Sequence, residues 1–417
     1  MGKTIVEKIM SEHSGKDVKA GDLTIVKVDA ALLQDGTGPL AVKQLEGMNL
    51  VKAANPERTF IFIDHASPSP RKELSNDHKT LRAFAEKTGV KLFDIGEGVC
   101  HQIVSEHYIN PGDILVGADS HTCTAGGLGA FATGMGSTDV AVAIALGKTW
   151  FRVPETIKVN IKGKFKKGVY AKDVILYIIG KIGADGATYK ALEFTGPAVK
   201  AMSISERLTL CNMAVEAGAK TGVAASDEKT KSYLKADGRL KKYRKIESDK
   251  DAVYEQIIEI DASKLSPLIA FPHTVDNVKP VSEAKGIKVN QVFIGTCTNG
   301  RLDDLKIAAR ILKGKKRHPN TRLIITPASK DVFLQADKAG YIRTFIQAGA
   351  AVTSAGCGPC VGVHSGILGD NEVCLSTQNR NFKGRMGNPE GQIFLCSPAT
   401  AAASAIAGEI VDPRRYL

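Results

Sequence analysis

Cys297 in FIGTCTNGR and the pair Cys357 and Cys360 in SAGCGPCVG place three soft thiol ligands in glycine-rich stretches, with no obvious fourth. Three protein ligands leave a metal centre open at one position, which separates a catalytic metal site from a closed structural one. The neighbours Gly295, Thr296, Gly358 and Gly362 are small, so the backbone can approach something as bulky as an iron–sulfur cluster. Cys-x-x-Cys alone equally suits a redox pair or half of a zinc site. The three cysteines by themselves do not decide the matter.

The elements that must position these residues follow an α/β pattern. Residues 4–13 show helical spacing after a cap at Thr4. TIVKVDAA, FIFIDH and DILVGADS predict strands, whereas HKTLRAFAEKTG and DVAVAIALGKTW predict helices. Such alternation predicts α/β layers with a mostly parallel sheet. Asp64-His65 and Asp119-Ser120-His121 then fall at strand ends, where open α/β sheets bind ligands. A second unit is expected from ETIKVNIKGKF onward, with its charged middle, Ser226 to Asp251, as an exposed excursion. A third restarts with QVFIGT and RLIITPAS, holds all three cysteines, and packs the helices RLDDLKIAARILKG and PATAAASAIAGE around them. The expected units are residues 1–155, 156–280 and 281–417.

Composition narrows the class. The 417 residues suffice for two or three domains, and 43% hydrophobic with 24% charged content is ordinary for a soluble globular protein. The longest apolar runs, such as AVAIAL from Ala141, are too short to cross a bilayer. The segment MGKTIVEKIMSEH lacks the features of a secretory signal. Eight scattered cysteines do not form a disulfide framework, so a reducing cytoplasm is the expected location. The net charge of +12 raises nucleic-acid binding. The basic runs KADGRLKKYRK and KGKKRH, however, lack interleaved aromatics, and solvated surface is the better expectation.

Nine motifs carry a resemblance over nearly the whole chain. They are LLQDGTGP, IDH ending at His65, GEGVCHQ, GADSHTCTAGGLGAFATGMGSTD, DGATYKALEFTG, LCNMAVEAGAKTG, GTCTNGR, GCGPC and STQNRNFKGRMG. In this set and order the chain resembles the catalytic subunits of the aconitase superfamily, nearest the isopropylmalate and homoaconitate dehydratase branch. The resemblance implies three related α/β domains around a central [4Fe-4S] cluster, tied by Cys297, Cys357 and Cys360, with one iron not bound by cysteine. It implies reversible removal of water from a hydroxy-polycarboxylate, a di- or tricarboxylate substrate. Such chemistry needs a Lewis acid on the hydroxyl, an acid to protonate it and a base for the C–H proton.

The same resemblance assigns further positions. Asp64 and His65 match the pair that delivers a proton to the departing hydroxyl; His101, Asp119 and His121 match further active-site residues, and Glu216 the carboxylate partnering His121. Arg380 and Arg385 are natural carboxylate clamps, since a guanidinium binds a carboxylate bidentately. Gln34, Ser120, Asn212 and Asn379 match residues lining the substrate site or near the cluster. Cys100, Cys123, Cys211, Cys374 and Cys396 are not expected as ligands, nor are His13, His78, His107, His273, His318 and His364 expected in the chemistry. The glycines after His121 lack GK[ST] and are expected as close-packing positions.

Single-chain aconitases continue into a fourth, swivelling domain that supplies a serine base and further arginines. This chain ends at Leu417, after VDPRRYL, where the third domain would end. The resemblance therefore implies a separate small subunit, in a heterodimer or heterotetramer. Isopropylmalate is the expected substrate, with homoaconitate and dimethylmalate as alternatives and an RNA-binding regulator as a remote one.

Overall fold

Thr4 accepts the Glu7 N–H on its hydroxyl while the Glu7 carboxylate accepts the Thr4 N–H, and helix Ile5–Ser14 runs from this reciprocal cap to a left-handed Gly15. The computed structural model describes residues 2–417. Ile5, Val6, Ile9 and Met10 of that helix recur at helical spacing and are buried.

The architecture is α/β. The first sheet has five parallel strands in the order Lys91–Phe93, Thr59–Phe62, Ala30–Gln34, Ile114–Gly117 and Phe131–Gly134. A second parallel sheet orders Thr221–Ala224, Ala191–Thr195, Thr156–Lys162 and Gln256–Asp261. The third is mixed, with seven strands in the order Val278–Pro280, Leu268–Ala270, Gln392–Cys396, Val373–Ser376, Gln291–Gly295, Arg322–Thr326 and Ala351–Val352. Its first two strands, inside the segment expected in the second unit, pair antiparallel here, with Ile269 opposite Cys396.

Two local expectations are corrected and a third holds in part. TIVKVDAA is two strands, not one. Asp29 turns its carboxylate inward to accept from His13 Nε2 at 2.6 Å and the Ile114 N–H at 2.8 Å, which ends Leu23–Lys27 before Ala30–Gln34 begins. The helix in DVAVAIALGKTW stops at Leu146 with Gly147 left-handed, and Lys148–Arg152 pairs antiparallel with Leu23–Lys27 as a separate ribbon. The lysines of the charged runs are exposed as expected, but their arginines also reach backbone carbonyls. Arg239 donates to the carbonyls of Ser105, Glu106 and Ile109, and Arg244 to that of Pro111, so both satisfy acceptors at and beyond the end of helix Cys100–His107. Arg317 likewise donates to Gly349, His318 and Thr321 carbonyls.

The segment Ser120–Leu128 is a 3₁₀ stretch buried from His121 onward between the first two sheets. A Cβ on Gly126 would stand 1.8 Å from the Gly222 carbonyl oxygen, and one on Gly127 would stand 2.8 Å from the Leu208 nitrogen. Backbone meets backbone at both positions, which only glycine permits.

Candidate active site

The loops at the carboxyl ends of strands from the first and third sheets, with one helix end from the second unit, converge on one pocket of about 300 Å³. Gln34 closes Ala30–Gln34, Asp64 and His65 follow Thr59–Phe62, and Asp119 follows Ile114–Gly117. Cys297 follows Gln291–Gly295, Asn379 and Arg380 follow Val373–Ser376, and Cys357 and Cys360 lie in the loop after Ala351–Val352. Helix Ile204–Asn212 and the turn after it bring Asn212 and Glu216.

The ionisable groups form one network. Asp64 Oδ1 lies 2.7 Å from His65 Nδ1, while its Oδ2 accepts the Cys100 N–H at 2.7 Å at the start of the helix carrying His101. Asp119 receives His101 Nε2 at 2.8 Å, His65 Nε2 at 3.3 Å and the His121 N–H at 2.9 Å. Gln34 Nε2 approaches the same carboxylate at 3.4 Å. His121 Nε2 is 2.7 Å from Glu216 Oε1, and Arg380 Nε donates to both Glu216 oxygens at 2.9 and 3.1 Å.

This pairing sets the charge states. Burial opposes charge on His65, but Cys357, Asp64 and Asp119 outweigh it and hold its imidazole well above the ordinary range. Burial also opposes ionisation of Asp119, which the charge of His101 and hydrogen bonds from His101, His121 and His65 keep well below the ordinary carboxylate range. Glu216 is lowered against burial by His121 and Arg380. His65 thus holds its proton beside an ionised Asp119, the arrangement of a general acid.

The cysteines are held differently. Cys297 Sγ accepts from Asn212 Nδ2 at 3.2 Å and is approached by Asn379 Nδ2 at 3.8 Å; Arg385 Nη2 points at Cys360 Sγ at 3.5 Å. Asn212 is fixed by Thr298 Oγ1 and Thr124 Oγ1, both at 2.8 Å. The Cys357 N–H donates to the Asp64 carbonyl at 3.0 Å, stitching the third-sheet loop to the first. Thr296, beside Cys297, sits at φ 72°, a left-handed conformation costing a β-branched residue of order 1–3 kcal/mol.

The donor set fits an iron–sulfur cluster. Burial pushes the Cys297 thiol up to about 12 and raises Cys357 as well. Thiolates in this buried setting need an opposing charge, which a bound metal would supply. Among the described residues, the trio of candidate ligands with donor atoms within 4.8 Å of one another is Asp64, His65 and Cys357, not the three cysteines. A single zinc with bonds of about 2.3 Å would hold its sulfurs only about 3.8 Å apart. Among the described residues, the buried Nε of Arg385 lacks a hydrogen-bond partner.

Gln34, His65, His101, Asp119, Ser120 and His121 line the pocket from the first unit, and Cys297, Cys357, Cys360, Asn379, Arg380 and Arg385 from the third. Asp64, Asn212 and Glu216 stand behind that lining, hydrogen-bonded to His65, Cys297 and His121 respectively. Thr37, Arg71 and Leu74 also line it and were missed, although Thr37 sits in the noted stretch LLQDGTGP. His78, set aside from the chemistry, reaches Asp35 behind the site, at 3.1 Å.

The remaining cysteines, 100, 123, 211, 374 and 396, are buried and unpaired among the described residues. No described helix is long and apolar enough to cross a membrane.

Comparison with known proteins finds relatives along the whole chain. The model of the aconitase family (aconitate hydratase) matches residues 7–286 and 282–408. Over 417 residues and all of both chains, 63% of positions are identical to the 3-isopropylmalate dehydratase large subunit of Elusimicrobium minutum. The corresponding large subunit 1 of Thermotoga maritima is 59% identical and large subunit 2 of Archaeoglobus fulgidus 60% identical, both again over the full length of each chain. The crystal structure of Thermococcus kodakaraensis aconitase X (holo-form) covers 90% of this chain and 89% of its own with a TM-score of 0.51 at 15% identity, a likeness of fold. With the family model spanning nearly all of the chain and relatives this similar from end to end, the chain belongs to the aconitase family.

Proposed function

We propose that the chain is the large, catalytic subunit of a 3-isopropylmalate dehydratase, a hydro-lyase interconverting 2-isopropylmalate and 3-isopropylmalate through isopropylmaleate. The observation carrying this is the end-to-end 63% identity to a subunit of that name. The activity belongs to leucine biosynthesis, and the enzyme is proposed to work in the cytoplasm.

Cys297, Cys357 and Cys360 would hold a [4Fe-4S] cluster with one iron free of cysteine. When bound, the cluster supplies a Lewis acid that polarises the substrate hydroxyl. Arg380 and Arg385 hold substrate carboxylates, with Gln34, Ser120 and Asn379 shaping the space beside them. As the C–O bond breaks, His65 gives its proton to the leaving hydroxyl, so that water departs. Asp64 and Asp119 stabilise its imidazolium beforehand and orient the ring. The carbon-bound proton goes to a base on the separate small subunit, and the bonding pair becomes the double bond. Rehydration on the neighbouring carbon runs these transfers backwards. His101, His121 and Glu216 keep Asp119 and Arg380 in place.

Docking of the small subunit, in a heterodimer or heterotetramer, closes the pocket against water and strengthens its electrostatic contacts. The test is an anaerobic assay of the cluster-reconstituted chain, alone and with candidate small subunits, against isopropylmalate, homoaconitate and dimethylmalate. Turnover of isopropylmalate only in the mixture is expected. Robust turnover by the chain alone, or preference for another substrate with every partner, would overturn the proposal.

A further inference from the structure

Asp35 and His78 stand outside the chemistry assigned above, yet both are buried directly behind it. Asp35 follows Gln34 at the end of a central strand. Its Oδ1 accepts the N–H groups of Asp64 at 3.2 Å and His65 at 2.9 Å. Its Oδ2 accepts the Ala66 N–H at 2.8 Å and His78 Nε2 at 3.1 Å. Three successive amides of the neighbouring strand's outgoing loop are thus gathered on one carboxylate. His78, from helix Lys72–Thr88, holds that carboxylate from the other side.

The amides belong to the residues that carry the proton-donating pair. We infer that Asp35, braced by His78, is a positioning residue that fixes the Asp64–His65 pair against Asp119 and Cys357. Nothing else among the described residues accepts these three N–H groups, so removing one carboxylate oxygen frees part of the loop. Asparagine at this position would keep the size but turn an NH₂ towards donors, leaving at least one buried N–H facing another. Burial alone would push Asp35 towards its neutral form. The hydrogen bond from His78, the charge of His65 and the Ala66 and His65 amides reverse that and hold it well below the ordinary range, as four donors require.

The distinction from a purely structural role lies in which quantity moves. A displaced acid weakens the transition state more than substrate binding, because Arg380 and Arg385 are anchored on a different sheet. The inference rests on the proposed role of His65, so one measurement must not require turnover. In the assembled two-subunit enzyme, Asp35→Asn should lower kcat by about 10- to 100-fold with KM within about threefold, and iron and sulfide content unchanged. Diethyl pyrocarbonate footprinting by mass spectrometry should show His65 modified at least about threefold faster in that variant, with His107 unchanged.

His78→Gln keeps an N–H donor near the position of Nε2 and should restore most of the kcat that His78→Leu loses. This pair also serves should Asp35→Asn fail to fold. A kcat for Asp35→Asn within about twofold of the parent, unchanged His65 reactivity, or equal losses in the glutamine and leucine variants would overturn the inference. The footprint reports on the anchor even if another hydroxy acid proves to be the substrate.

Discussion

The two walls of the pocket are built on different terms. On the wall made by the first two units, the acidic groups are already matched: Asp64 with His65, Asp119 with His101 and His65, Glu216 with His121 and Arg380. The third-sheet wall is under-matched. Its sulfurs receive contacts of 3.2 to 3.8 Å, the Nε of Arg385 is buried without a partner among the described residues, and Thr296 holds a strained conformation beside Cys297. One wall is a set of acidic and basic groups already matched to partners; the other carries groups that suit a metal and an anion better than they suit each other.

Variants that strike one wall should therefore spare the other. The largest effect is expected for Cys297→Ser, Cys357→Ser or Cys360→Ser, each abolishing activity and the iron–sulfur absorption of anaerobically prepared protein. Iron and labile sulfide analysis measures this, and a fully retained cluster would erase the contrast. On the opposite wall, His65→Ala and Asp64→Asn should reduce kcat by about 10²–10⁴-fold while iron content stays at the parental level. Simultaneous cluster loss would show that the walls are one unit.

Arg380 touches both walls, so Arg380→Lys should have an intermediate result. Charge remains but the planar fork is lost, and kcat/KM should fall about tenfold, equivalent to about 1.4 kcal/mol. Unchanged kinetics in the active two-subunit enzyme would remove Arg380 from substrate binding.

The smallest effect concerns pH. The folded Glu216 titrates below its ordinary 4.5, so folding favours the ionised form. Its stabilising contribution is complete above that ordinary value and disappears as pH falls through the depressed folded value. Denaturant titrations from about pH 6 downward should show a shallower loss of stability for Glu216→Gln than for the parent. Parallel curves would mean that His121 and Arg380 do not favour its charge.

The cysteines stood out by their type and spacing in glycine-rich stretches, and the histidines and arginines were legible through the motifs that carry the family resemblance. Asp35 was not, although it lies inside LLQDGTGP, because its three amide partners come from a neighbouring strand and nothing local marks a carboxylate as an anchor. Arg239 and Arg244 looked like solvated charge for the same reason. Their carbonyl partners lie about 130 residues away in the chain. The break in TIVKVDAA escaped detection because a half-buried Asp29, rather than glycine or proline, makes the turn.

Gly126 and Gly127 set a mechanical limit on the whole assembly. With the Gly222 carbonyl and the Leu208 nitrogen seated where side chains would otherwise stand, the first two units have no cushion along which to shear. Their shared wall must move as a block, and sliding one unit past the other cannot admit substrate. Substrate then has to reach the pocket past its own lining, which includes Arg71 and Leu74, rather than through a seam between the two units.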